Sequence, residues 1–117
     1  MDSANIYIGL MSGTSIDAID AVAVKFNATG IELMGCHSEP MPQDLKQQIL
    51  HLCQPPTDSV QLLAETDHRL GKLYAQATLT LIANAPLEAS AISAIGCHGQ
   101  TIRRYSTQLS GVSWRMV

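Results

Sequence analysis

The chain has 117 residues, which matches one domain with its own hydrophobic core. Seven Lys and Arg against ten Asp and Glu give a formal net charge of -3, and no basic cluster exceeds Arg103-Arg104, which excludes a nucleic-acid footprint. No apolar run approaches a membrane span, and the N-terminus lacks a secretory pattern. The odd set Cys36, Cys53 and Cys97 therefore reads as reduced thiols in a cytoplasmic protein.

Ile6 to Leu10 reads as a first strand and Ala21 to Phe26 as a second, joined by a polar turn rich in Gly, Ser and Thr. Asn27-Ala-Thr-Gly30 is a turn, and Ile31 to Cys36 a third strand, ended by Pro40 and Pro42. Pro42 suits the first turn of a helix, and Asp44 complements the positive end of its dipole. Leu45, Ile49, Leu50 and Leu52-Cys53 give that helix a core-facing stripe, and Pro55-Pro56 stops it. Thr57 or Asp58 then caps a long helix to about Ala83, with Leu63, Leu70, Leu73, Ala77 and Leu81 at helical spacing and Tyr74 beside them. Gly71 is a weak point in it. Asn84-Ala-Pro86 ends the helix. Ala91 to Cys97 reads as a short apolar strand buried on both faces, and Ile102 to Tyr105 as a candidate fifth. The class is α/β: an antiparallel meander, two helices and a further strand.

The turn between the first two strands carries the chemistry. Ser12, Thr14 and Ser15 offer hydroxyls and backbone N–H groups that suit phosphate oxygens. Gly9 and Gly13 allow a close backbone approach. Asp17 and Asp20 follow, where a carboxylate can hold a hydrated magnesium ion or simply cap the turn. The loop is not a Walker A motif: Thr14 stands after Gly13 where a Lys is needed, and a strand follows instead of a helix. An ordinary hairpin turn explains the same composition. His98-Gly-Gln-Thr101 follows an apolar strand, where ligand loops of α/β sheets sit, and its polar groups suit sugar hydroxyls. The plainer alternative is a His that satisfies neighbouring carbonyls. Arg103 reads equally as a partner for an acidic substrate group or as a solvated cation.

The repeated Cys36-His37 and Cys97-His98 dipeptides argue weakly for zinc, because adjacent strand residues point to opposite faces. His51 and His68 read as surface residues on helices, and Met11, Met34 and Met41 as packing.

A hydroxyl-rich hairpin resembles the first phosphate loop of the actin, hexokinase and Hsp70 ATPase superfamily. Gly9-Leu-Met-Ser-Gly-Thr-Ser-Ile-Asp17, with Asp20-Ala21 beyond it, is similar to the N-terminal signature of the anhydro-N-acetylmuramic acid kinase family. Ile95-Gly-Cys-His-Gly-Gln-Thr-Ile102 resembles that family's His-Gly-Gln-Thr motif. The resemblance spans roughly residues 5 to 104. Ala18 stands where the family usually has Gly, and Cys97 where Ser is more usual.

The resemblance implies one partial lobe of the actin/hexokinase/Hsp70-like ATPase fold. It implies an ATP phosphate loop formed by Gly9, Ser12, Gly13, Thr14, Ser15, Ile16, Asp17, Ala18, Ile19 and Asp20, and part of a sugar site at His98, Gly99, Gln100 and Thr101. The implied cofactors are ATP and Mg2+, the latter reached by Asp17 through water. The implied reaction converts 1,6-anhydro-N-acetylmuramic acid and water to N-acetylmuramic acid 6-phosphate, in cytoplasmic peptidoglycan recycling and amino-sugar catabolism. No catalytic base is identified in this chain; the family's lies beyond residue 117. Residues 1–117 would thus be a single truncated N-terminal lobe with an atypical tail at 105–117, and the isolated chain would be inactive. The alternative is a non-catalytic remnant or weak ligand-binding lobe. The partners are small molecules, with neither nucleic acid nor membrane, and a homo-oligomer stays open.

Overall fold

Apolar and polar residues alternate along the first two strands, and that period decides which side of the sheet is covered. The computed structural model describes residues 5–54, 59–106 and 113–116, with side chains described up to Arg103. Three antiparallel strands come first: β1 (Ile6–Ser12), β2 (Ala18–Asn27) and β3 (Gly30–Pro40). Ile8, Leu10 and Ser12 of β1 are buried on one face together with Ile19, Ala21 and Ala23 of β2. Residues at the intervening positions, including Tyr7, Met11, Val22 and Phe26, are exposed on the other face.

Helix α1 (Gln43–Cys53) starts after Pro42 and buries Leu45, Ile49 and Leu52. Helix α2 (Val60–Asn84) buries Leu70, Leu73, Tyr74, Ala77 and Leu81, the expected stripe apart from half-buried Leu63. Ser59 caps it, its side chain accepting from Leu62 N at 3.0 Å. The expected breakers Pro55-Pro56 and caps Thr57 and Asp58 lie outside the described residues. Arg69 ties the helices together, donating to Asp44 Oδ2 at 2.8 Å and Gln48 Oε1 at 3.1 Å. Ile8, Ile19, Leu45, Ile49 and Leu81 are the largest fully buried side chains, each stabilising the fold by about 1.5–3 kcal/mol.

Strand β4 (Ile92–Cys97) follows a 3-10 turn at Ala89–Ala91 and pairs parallel to β1, giving the sheet order β3-β2-β1-β4. The mixed four-stranded sheet with two helices makes the chain α/β. One expectation fails here: β4 is not buried on both faces. Every residue after Ile92 is exposed, Ile95 by 52%. The reason is its edge position, since α2 lies over β2 and β3 and reaches β1. A second small sheet pairs β5 (Arg103–Ser106) with β6 (Ser113–Met116). Met41 is in the core and Met34 packs against it, but Met11 is half exposed. Cys36, Cys53 and Cys97 are free thiols. The two Cys-His pairs sit on the opposite edge strands β3 and β4, roughly 14 Å apart across the sheet, too far for a shared metal. Among the described residues no helix is long and apolar enough to cross a membrane.

Two glycines test the packing in opposite directions. A Cβ on Gly35 would meet Ala85 Cβ at 2.7 Å, where α2 ends against β3, whereas a Cβ on Gly71 meets nothing within 4 Å. Gly35→Ala should destabilise the chain by about 1–3 kcal/mol through overpacking. Gly71→Ala should stabilise it by up to about 1 kcal/mol through helix propensity. Urea midpoints of the two variants against the parent chain check both signs.

Candidate functional site

Strands β1 and β4 run parallel and side by side, so their carboxyl ends release two loops at the same edge of the sheet. That is where ligands enter open α/β sheets. His98 N extends the ladder by donating to Leu10 O at 2.9 Å. The first loop spans 13–17. The second begins at His98, and Gly99 adopts φ 79, a left-handed conformation that resists side chains.

A buried chain of hydrogen bonds joins the loops. Gln100 is 2% exposed, and its Nε2 donates to Gly13 O at 3.3 Å and Thr101 O at 3.1 Å. Two carbonyls around the amide nitrogen fix which end of the amide is which, so Oε1 faces Ser12 Oγ at 2.7 Å. Oε1 only accepts, so Ser12 donates its one hydrogen there. Tyr74 OH, 2.9 Å from Ser12 Oγ, must then be the donor to it. Burial raises the Tyr74 phenol above its ordinary value, against the lowering effect of the Ser12 bond, so the phenol keeps the proton it donates.

The 13–17 loop is clamped elsewhere too. Ile16 has φ 55, costly for a β-branched residue, yet its side chain is 3% exposed and anchors the turn in the core. Ile16 N donates to Gly13 O at 3.2 Å, and Met41 N to Asp17 O at 2.9 Å. Lys46 Nζ on α1 donates to Asp17 Oδ1 at 2.9 Å.

Between the loops lies an open cleft of about 600 Å³. Met11, Ser12, Gly13, Thr14 and Ile16 line one side, and His98, Gln100, Thr101, Ile102 and Arg103 the other, with Leu50 and Cys53 of α1 at the flank. Arg103 Nε donates to Leu52 O at 3.3 Å. Burial pushes the Cys53 thiol up, against the opposing charge of Arg103. The described lining residues contain no carboxylate.

The structure thus brings the hydroxyl-rich loop and the His-Gly-Gln-Thr segment to one cleft, 88 residues apart along the chain at Ser12 and Gln100. It does not bring every expected residue there. Gly9 lies in mid-strand in β1. Ala18, Ile19 and Asp20 belong to β2, with Ile19 fully in the core and Asp20 paired across to Met11 on the uncovered face. Ser15 and Asp17 are exposed on the loop but outside the cleft lining. Among the described residues, no group of three or more His, Cys, Asp or Glu gathers to hold a metal. Tyr74, Lys46, Leu50 and Cys53 enter the site without having been expected there. Only Tyr74 leaves a trace in the sequence, an aromatic with a polar tip beside the Leu70, Leu73, Ala77 and Leu81 stripe.

A family model described as anhydro-N-acetylmuramic acid kinase matches residues 5–116. The anhydro-N-acetylmuramic acid kinase of Photobacterium profundum is 47% identical over 96 residues, covering 82% of this chain and 26% of the relative. That of Vibrio vulnificus strain YJ016 is 43% identical over 102 residues, covering 87% and 28%. That of Aliivibrio fischeri is 48% identical over 96 residues, covering 82% and 26%. The chain spans about a quarter of the length of these curated relatives.

The Asp17–Lys46 pair yields a prediction about pH. The Lys46 hydrogen bond, then its charge, hold the Asp17 carboxyl below its ordinary value of 3.8. A folded value below the unfolded one contributes stability above pH 3.8, and that contribution is lost as pH falls through the lowered value. Lys46→Gln should move the Asp17 titration back up toward 3.8, read from its side-chain carboxyl carbon by NMR. An unmoved titration would show that the pair does not form in solution.

Proposed function

Because the chain belongs to the anhydro-N-acetylmuramic acid kinase family, we propose that its cleft serves ATP-dependent phosphorylation of 1,6-anhydro-N-acetylmuramic acid, with water opening the anhydro ring. The chain then carries the phosphate loop and one wall of the sugar site of that reaction. The observation that carries this reading is the meeting of the two motif loops at the carboxyl ends of adjacent parallel strands, around one open cleft. The lobe is proposed to be of the actin-like ATPase type, on the strength of the meander, its hydroxyl-rich first turn and the family.

Phosphoryl transfer depends on positioning and charge stabilisation more than on covalent help from the protein. Gly13 and Thr14 present backbone and hydroxyl groups to the cleft, and the clamped loop holds them in place before a ligand arrives. His98 and Thr101 supply the opposite polar wall and suit hydroxyl or acetamido groups. Ser12 and Gln100 are proposed to position the loops. Their polar atoms are spent on each other, on Tyr74 and on backbone carbonyls, so they shape the cleft from beneath it.

A magnesium ion bound with ATP would shield phosphate charge. It does not fit the described lining residues, which offer no carboxylate, while Asp17 faces Lys46. The described lining residues likewise offer no carboxylate to act as base toward the attacking water. The cytoplasmic setting and the place in peptidoglycan recycling rest on the family.

Gly13→Val gives the sharpest test. A Cβ there meets nothing within 4 Å, so the fold tolerates it while the added bulk enters the cleft mouth. In a polypeptide of the relatives' length carrying these loops, ADP release with ATP and the anhydro sugar should fall by at least about 100-fold, as misplacing reacting groups does. The thermal midpoint should hold. Undiminished ADP release would remove the loop from the phosphate site.

A further inference from the structure

We infer that Tyr74 is a positioning residue for this cleft: from the middle of α2 its hydroxyl orients Ser12, and through Ser12 and Gln100 it holds the 13–17 and 98–102 loops in register. Tyr74 does not line the cleft. It acts through a hydrogen-bond chain whose direction is set at both ends. At the far end, Gly13 O and Thr101 O only accept, which forces Gln100 Nε2 toward them and Oε1 toward Ser12. At the near end, Ser12 has already given its hydrogen to Gln100, which leaves Tyr74 as donor.

Ser12 has a second acceptor within reach, Gly99 O at 3.4 Å. Its hydroxyl must therefore select between the Gln100 amide at 2.7 Å and the backbone of the same loop. Donation from Tyr74 occupies a lone pair of Oγ on the helix side and strengthens the outgoing bond to Gln100, as successive bonds in a buried chain do. Ser12 is the last residue of β1, and Gly13, whose carbonyl closes the chain, opens the phosphate loop. A hydroxyl on a helix 62 residues away in sequence thus sets the geometry at the loop's first residue.

Tyr74 is anchored well for this role. The residue is 7% exposed and shares the buried stripe of α2 with Leu70, Leu73 and Ala77, and Thr78 Oγ1 donates to its backbone carbonyl at 2.9 Å. Removing the hydroxyl alone leaves the ring, and hence the core packing, intact.

The catalytic consequence rests on the proposed kinase reading, but the positioning can be decided without ATP or sugar, so the two fail separately. The experiment uses the 15N-labelled chain and follows hydrogen exchange of the Gln100 side-chain amide protons, with the backbone amides of Gly13, Thr14 and Thr101. In Tyr74→Phe, Gln100 exchange should quicken about 2- to 12-fold, the range opened by losing one net hydrogen bond, and the loop amides should shift. Ile82→Val, a small core loss further along α2, should lower the thermal midpoint while leaving that exchange at the parent rate. Ser12→Ala should quicken exchange by itself, and adding Tyr74→Phe to it should change little. Parent-like exchange in Tyr74→Phe, equal quickening in Ile82→Val, or additive effects of the Ser12 and Tyr74 variants would each overturn the inference.

Discussion

One serine hydroxyl holds the site together. Ser12 Oγ is 2% exposed and has a single hydrogen, which goes to Gln100, while its lone pair takes the hydrogen of Tyr74. A buried hydroxyl or amide left without its partner costs about 1–3 kcal/mol, so each member of this chain depends on the others. The chain runs from α2 through the end of β1 to the loop after β4, elements far apart in sequence. The two loops keep their spacing because of it.

That arrangement explains why the 13–17 loop can be rich in small polar residues and still be held in place. Ile16 accepts a left-handed backbone in exchange for a buried side chain, and Asp17 is held at its carbonyl by Met41 N, ahead of α1, and at its carboxylate by Lys46 of α1. Thr14 remains exposed beside the cleft. A loop clamped at its base, with Ser15 bonded to Asp17 and Thr14 exposed at the cleft, has little conformational freedom left to lose on meeting a ligand.

The two faces of the sheet divide the labour. The helix-covered face carries the core and the Tyr74-Ser12-Gln100 chain, while the parallel pairing of β1 with β4 brings both loops to one edge. Had β4 paired antiparallel, the His98 segment would have left from the opposite end of the sheet. The direction of one strand therefore decides whether the two motifs form a site at all.

Much of this was legible in the sequence. The meander, both helices and the apolar strand before His98 follow from periodicity and from prolines and glycines at the boundaries. The two loops were marked by residue types that suit phosphate and sugar, and the likeness of their motifs to one kinase family agrees with the family match. What the sequence does not encode locally is which atoms of those motifs face inward. Ser12 and Gln100 read as ligand contacts, because a hydroxyl and an amide look the same whether they bind a substrate or one another. The fold buries them, and Tyr74 becomes part of the site through a contact across 62 residues that no spacing rule foresees. The apolar run of β4 misled for a related reason. Apolarity reports a preference for burial, whereas exposure is set by which strands and helices lie alongside, and β4 lies at an edge. Local chemistry determined the elements and the candidate groups; only tertiary packing decided which of those groups open onto the cleft and which bond to one another beneath it.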